Sequence, residues 1–380
     1  MGHAGLFFRG SCYVYIHPGL HMTTLAKSKC LVIGGAGNLG GHIITLLLER
    51  GAASVSCFDV VPYRGDGKHV ESFTGDICDS ATLADAMRGV EMVFHTASII
   101  DLRPVPSYRM QRVNVDGTFN VIQACKRAGV GVLVYTSSLE VVSGVCEDGV
   151  TVQPLNGVDE TVPIPPHHHL EYAATKAAAE RLVMTAHSQS LRTVCIRPGF
   201  IQGPGSIGLK LEMLKAKLRS NRYVTAKVPA KISTVHPRNA ALAHLLAAEK
   251  VNQDDVGGQA FFVRDFEAGV VDMTLEALKP TPIIPVLLPL RMAYYLAWVI
   301  DICVRFQHLL YALVGARPPK TSEDVLSIRA VNMAYIDIIV SDARARKVLG
   351  YKPLVSKEDC LREASAWCVD FYRNLLKGEP

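Results

Sequence analysis

A chain of 380 residues exceeds the ~250 to 300 at which one hydrophobic core stops growing, so a main domain with a smaller partner is expected. With 49% hydrophobic and 20% charged residues, the composition calls for an apolar ligand site or a membrane contact. A net charge of +5, without any block of five like charges, sets nucleic acid aside as a partner.

Residues 1–27 carry an apolar patch that Arg9 interrupts and His17-Pro18 ends, without a small-residue cleavage site, so they do not read as a secretory signal. They are either a disordered extension or sequence upstream of a start at Met22. From Lys29 the chain alternates short β-branched runs with helical periods: "CLVIGG", "LGGHIITLLLERG", "SVSCFDV", "ATLADAMRGV", "MVFHTAS", "FNVIQACKRAGV", "GVLVYTSS" and, sixth among the strands, "RTVCIRPG". This order implies βαβ crossovers and an α/β fold, a Rossmann-type doubly wound parallel sheet over residues 28–200. Beyond it, residues 201–380 read as a smaller substrate lid built from non-contiguous segments, with returning strands and an apolar helix near 290–315. "SDARARKVLGYKP" reads as a short helix ended by Gly350 and Pro353. The ten cysteines form no CxxC pair and read as reduced core thiols in a cytosol-facing protein.

Gly34, Gly35, Gly37 and Gly40 in "VIGGAGNLGG" lie between a strand and a helix, where absent side chains let the backbone approach a pyrophosphate. Asp59 follows Gly40 by 19 residues at the end of the next strand, where a carboxylate accepts ribose hydrogen bonds and repels a 2′-phosphate. The cofactor is therefore expected to be NAD. Asp76 in "TGDI" is an adenine contact, a solvated turn aspartate or the N-cap of the helix at Ala81. In "EYAATKAAAERL", Tyr172 and Lys176 share one helix face, from which an ammonium can lower a phenol's pKa and make it a base. Ser137 and Ser138 end the fifth strand, the edge at which open α/β sheets hold ligands.

These residues, together with "NVDGTFNV", "YTSSLEVV", "RPGFIQGPG" and "STVHPRNAALAHLLAAE", make the chain resemble an extended short-chain dehydrogenase/reductase. More narrowly it resembles the 3β-hydroxysteroid dehydrogenase family, including sterol-4α-carboxylate 3-dehydrogenases, over roughly residues 29–375. The resemblance implies Ser138, Tyr172 and Lys176 as the catalytic set, with Asn114 supporting the active-site backbone or a proton-relay water. From the residues alone, Asn114 is equally a helix cap. The resemblance also assigns to the cofactor Asn38 and Leu39 of the glycine loop, Ile77, Thr96, Ala97 and Pro198. Two departures stand out: Ile33 replaces a common threonine, and Asn38 replaces a usual aromatic.

The expected reaction is NAD-dependent oxidation of a steroid or sterol 3β-hydroxyl, with the decarboxylating 4α-carboxylate reaction or a Δ5-4 isomerase activity as alternatives. A nucleotide-sugar epimerase or dehydratase is the more distant one. His167-His168-His169 reads as a solvated loop, and no metal site is expected. On a helix over residues 290–315, Arg291, Asp301, Arg305 and His308 share one sector and leave a wide apolar face. That pattern suits a helix lying in a membrane interface, with a packed lid helix as the alternative. The resemblance implies attachment to the endoplasmic reticulum with the catalytic domain facing the cytosol, and is compatible with a homodimer.

Overall fold

The computed structural model describes residues 25–65, 70–101, 108–147, 151–313 and 335–378. The extension before Leu25, including Met22, lies outside the described residues. Seven strands form the main sheet: β1 (Lys29–Ile33), β2 (Ser54–Asp59), β3 (Val70–Thr74), β4 (Met92–His95), β5 (Val132–Thr136), β7 (Arg192–Pro198) and β11 (Ala260–Val263). Their spatial order is β11-β7-β5-β4-β1-β2-β3, and every neighbouring pair is parallel. This is the doubly wound sheet expected from the alternation of strands and helices.

Apart from β2 and β3 at one edge, its strands are buried on both faces, which is why "CLVI" and "VLVYT" are apolar without interruption. Alternate residues serve opposite layers. Cys30, Val32, Val132 and Val134 pack under α1 (Asn38–Glu49) and α7 (Pro237–Lys250). Leu31, Ile33, Leu133 and Tyr135 pack under α2 (Ser80–Ala86), α4 (Thr118–Ala128) and α5 (Glu171–Thr185). Helix α4 ends where Gly129 adopts φ +71°, a left-handed cap returning its N–H to Cys125. Before it, α3 (Tyr108–Gln111) runs through a π-helical turn, Arg112–Gly117.

The sequence reading stops at a sixth strand, whereas "AFFV" supplies a seventh, β11, paired with β7. A four-residue apolar run carries no period of its own, so only pairing reveals it.

A second sheet gathers segments far apart in sequence: β6 (Leu155–Val158), β8 (Phe200–Ile201), β10 (Ile232–Val235), β12 (Phe266–Ala268) and β14 (Ile338–Val340). The remaining layer combines α6 (Ile207–Leu218), β9 (Arg222–Ala226), α8 (Val270–Leu278), β13 (Ile284–Leu288) and α10 (Lys357–Lys377) around Leu209, Met213, Tyr223 and Tyr372. Helix α9 (Leu290–Leu313) follows β13 directly. The stretch read as a short helix is a π-helical turn, Ala345–Leu349, ended by Gly350 at φ +71°. All nine cysteines among the described residues are free; six are buried, and Cys303 on α9 is exposed.

Asn239 joins these parts. Its amide donates to Asp265 Oδ2 (2.8 Å) and to the Val355 carbonyl (2.9 Å), while its oxygen accepts from Leu354 N–H (2.8 Å) and Val355 N–H (2.9 Å). Four bonds from one fully buried amide tie α7 of the main layer to the approach to α10. Asn239→Ala leaves buried donors and acceptors unmet and is expected to cost about 3 kcal/mol of unfolding free energy, measured by urea denaturation.

Candidate active site

Because the strands are parallel, Ile33, Asp59, Thr74, His95, Thr136 and Pro198 all end at one edge, on either side of the point between β1 and β4 where the chain changes direction. The glycine loop crosses this edge. Gly34, at φ +84°, donates to Phe58 O (2.8 Å), and a Cβ there would lie 2.6 Å from both Ala97 N and Thr96 Oγ1. A Cβ on Gly35 would lie 2.7 Å from Cys57 Sγ, and one on Gly40 would collide with the Gly34 carbonyl. Thr96 locks the turn by donating to the carbonyls of Ile33 (2.9 Å) and Gly34 (3.2 Å). Gly37 caps α1 without a side-chain acceptor, so the first-turn amides remain open to an anion. This cradle fits a dinucleotide pyrophosphate.

Asp59 Oδ2 accepts from Ala36 N–H (3.1 Å), which holds the partly exposed carboxylate against the loop, where an adenosine ribose would sit. Asp76 is exposed and closes its own turn by accepting from Cys78 N–H (2.9 Å). The helix at Ala81 is capped by Asp79 (2.9 Å), so Asp76 is a turn residue without the capping role. Leu39 sends its side chain into the core and offers only its amide, and Ile77 is likewise core, packed beneath Gly117. Asn38 turns toward the lid, donating to Pro204 O (2.6 Å). In place of an aromatic it makes a strap between the glycine loop and the loop at Gly203 to Gly205.

The two serines behave differently. Ser137 N–H is bound to Ile196 O (2.7 Å) and its hydroxyl has no partner among the described residues, whereas the Ser138 hydroxyl accepts from Glu140 N–H (3.2 Å) and acts on the Tyr172 phenol to lower its pKa. Tyr172 and Lys176 both face inward on α5, with 8% and 1% of their surface exposed. Lys176 Nζ donates to Thr136 O (2.5 Å) and lies 4.3 Å from the centre of the Tyr135 ring. Burial pushes the phenol up to about 12, which the Ser138 hydrogen bond opposes and the charge of Glu140 reinforces. Desolvation brings the amine down to about 7, against the opposing charges of Glu180 and Cys195. The ammonium is therefore not what eases the phenol in this state: the amine is committed to a carbonyl, and lowering comes from the serine.

Asn114 lies in the π-helical turn and caps no helix. Its side chain brackets Ile99, accepting from the N–H (2.8 Å) and donating to the carbonyl (3.0 Å), and also donates to Thr175 Oγ1 on α5 (3.1 Å). It joins the loop bordering the cofactor cradle to the catalytic helix. His95 is structural, fully buried and bonded to Thr118 Oγ1 (3.0 Å).

Spacing rules did not single out three supports. Glu180, one turn beyond Lys176, forms a buried two-pronged pair with Arg197 (2.9 and 2.6 Å). His244 on α7 bonds Thr136 Oγ1 (2.7 Å). The triple histidine is not a solvated loop: His167 is exposed, but His168 bonds Val141 O (3.0 Å) and His169 is buried, 3.5 Å from Glu140. Folding Leu139–Val142 back over this segment buries it, a long-range contact that composition does not announce. Helical spacing would have shown Glu180, had the helix face been extended one turn.

Residues 31–274 match the 3-beta hydroxysteroid dehydrogenase/isomerase family. The chain belongs to that family. The decarboxylating sterol-4-alpha-carboxylate 3-dehydrogenase of Mus musculus is 32% identical over 95% of this chain and 96% of its own. The 3 beta-hydroxysteroid dehydrogenase/Delta 5-->4-isomerase of Mycobacterium tuberculosis is 30% identical over 93% of each. Among solved structures, epimerase Mth375 of Methanothermobacter thermautotrophicus shares the fold, with a TM-score of 0.69 at 20% identity over 95% of this chain and 99% of its own.

Gly34→Ala places a methyl group against Ala97 and a side chain at positive φ, a strain of about 1 to 3 kcal/mol. It is expected to weaken NADH binding at least about tenfold, read by quenching of intrinsic fluorescence.

Proposed function

We propose that this 3β-hydroxysteroid dehydrogenase family member oxidises the 3β-hydroxyl of a steroid or sterol to the 3-ketone with NAD, using Tyr172 as proton acceptor. The observation carrying this reading is the pair of inward-facing side chains Tyr172 and Lys176 on one face of α5, the lysine pinned to the tip of β5 at the same sheet edge that the glycine loop crosses. When bound, the nicotinamide supplies the hydride acceptor. Tyr172 and Ser138 converge on the substrate oxygen, the serine orienting it while the phenol takes its proton. Lys176, brought near neutrality by burial, is suited to pass a proton onward and to hold the nicotinamide ribose. Asp59 favours NAD over its 2′-phosphate. Two substrate classes fit: a 4α-carboxylated sterol, whose 3-keto product loses CO₂, and a plain 3β-hydroxysteroid. Incubating purified protein and NAD⁺ with each class distinguishes them by CO₂ release, and turnover of a UDP-sugar alone would overturn the reading.

Tyr172→Phe is expected to lower turnover by about 10² to 10⁴ while NADH still binds. Because the phenol must ionise and burial raises its pKa, oxidation should climb with pH through the neutral range, and reduction of the ketone should fall. Initial rates in both directions between pH 6 and about pH 10 check the sign.

The same reading includes a membrane surface as partner. Among the described residues no helix is long and apolar enough to cross a membrane. Among its described side chains, helix α9 nevertheless buries only Ala293 and Ala297 and exposes Tyr295 (67%), Trp298 (50%) and Phe306 (60%). The side chains of Asp301, Arg305 and His308 lie outside the described residues, so the proposed charged stripe rests on sequence. With Ile284 and Leu287 of β13 also exposed, this face suits shallow insertion among lipid headgroups, with Trp298 as anchor. Trp298→Glu with Phe306→Glu is expected to reduce co-sedimentation with phosphatidylcholine vesicles at least about tenfold, while leaving oxidation of a water-soluble steroid unchanged.

A further inference from the structure

The proposed proton transfer leaves one buried carboxyl beside the phenol unused. Glu140 lies in the short turn Leu139–Val142, and its backbone N–H donates to Ser138 Oγ (3.2 Å). Its Oε2 is shielded from water, lacks a well-formed hydrogen bond and faces His169 Nε2 at 3.5 Å. The His169 side chain is fully buried, with Nδ1 3.4 Å from Ser143 O. Three residues further on, Tyr172 stands in the first turn of α5, the helix packed against the Leu139–Val142 turn, and the Glu140 charge adds to the upward push on its phenol. Among the described residues no lysine or arginine pairs with Glu140. Lys176 is held by Thr136, and the His168 imidazole is bonded to Val141 O.

We propose that Glu140 and His169 form a buried acid–imidazole pair whose net charge governs how readily Tyr172 releases its proton, making Glu140 a positioning residue of the reaction. Glu140 keeps 19% of its side-chain surface exposed through its other atoms, but one carboxylate oxygen is shielded from water. A carboxylate so placed near a phenol opposes formation of a second negative charge, and proximity to imidazole offsets that opposition. The backbone supports the same role, because the Glu140 N–H holds the hydroxyl of Ser138, the serine that lowers the phenol's pKa. Burial raises the Glu140 carboxyl to about 7, so this carboxyl changes charge in the range where the enzyme would work. A carboxyl raised in the folded state adds stability at acid pH and loses it as pH climbs through about 7. The pair therefore leaves two independent signatures, one kinetic and one thermodynamic.

This inference rests on Tyr172 being the proton acceptor. The test is the pH profile of kcat/KM for 3β-hydroxysteroid oxidation in the parent enzyme, Glu140→Gln, His169→Gln and the double variant, with NADH binding as the check on folding. Glu140→Gln is expected to move the ascending limb about one unit toward acid, while His169→Gln moves the parent limb upward and has no further effect once Glu140 is replaced. A uniform loss of rate with an unmoved limb in Glu140→Gln overturns the pairing, as does a His169→Gln shift of equal size in both backgrounds. Should Glu140→Gln fail to bind NADH, His169→Gln alone decides, since an unmoved limb there also overturns it. Persistent turnover in Tyr172→Phe would sink the base assignment itself, whereas loss of turnover there with unmoved limbs elsewhere would sink only the pair.

Discussion

The site is organised around one amine removed from water. Lys176 retains almost no accessible surface, and an ammonium so placed is costly unless its protons find partners. The Thr136 carbonyl at the tip of β5 and the face of Tyr135 meet that need. Satisfying the amine fixes the rotation of α5 about its axis, and Tyr172, one turn earlier on the same face, is thereby delivered to Ser138. The phenol's placement is thus a consequence of where the lysine can be buried.

Several longer-range contacts keep that geometry from relaxing. His244 grips the Thr136 hydroxyl from the opposite layer, and Arg197 holds Glu180 on α5 from β7. Asn114 ties the helix to the loop at Ile99 from within a π-helical turn, a local irregularity that frees an inward-facing amide for this purpose. On the cofactor side, Thr96 and the missing Cβ atoms at Gly34 and Gly40 let three chain segments approach to contact distance. Asn38 carries the linkage on to the lid through Pro204.

The buried pairs have a cost as well as a use. A carboxylate or guanidinium in the interior is destabilising unless matched, so the two-pronged Arg197–Glu180 geometry secures an arrangement more than it adds stability. Glu140 and His169 approach to 3.5 Å, longer than the Arg197–Glu180 contacts and too long for a strong hydrogen bond.

The glycine loop, Asp59, and the serine, tyrosine and lysine could be read directly because each belongs to a local pattern of strand end, helix start or four-residue helical spacing. The parallel sheet followed from the alternation of periods, since buried strands must be apolar on both faces. What the chain could not disclose by itself depends on contacts between distant segments: β11 closing the sheet, Asp79 displacing Asp76 as the cap, and His169 sinking beneath the turn at Glu140. The balance of the phenol's environment belongs to the same class. Spacing places an amine near a phenol, but only packing decides how dry the phenol becomes, which carbonyl captures the amine and which carboxyl faces the ring. Local propensity and spacing act through neighbours in the chain, whereas dielectric and charge act through neighbours in space, and those exist only once the chain has folded.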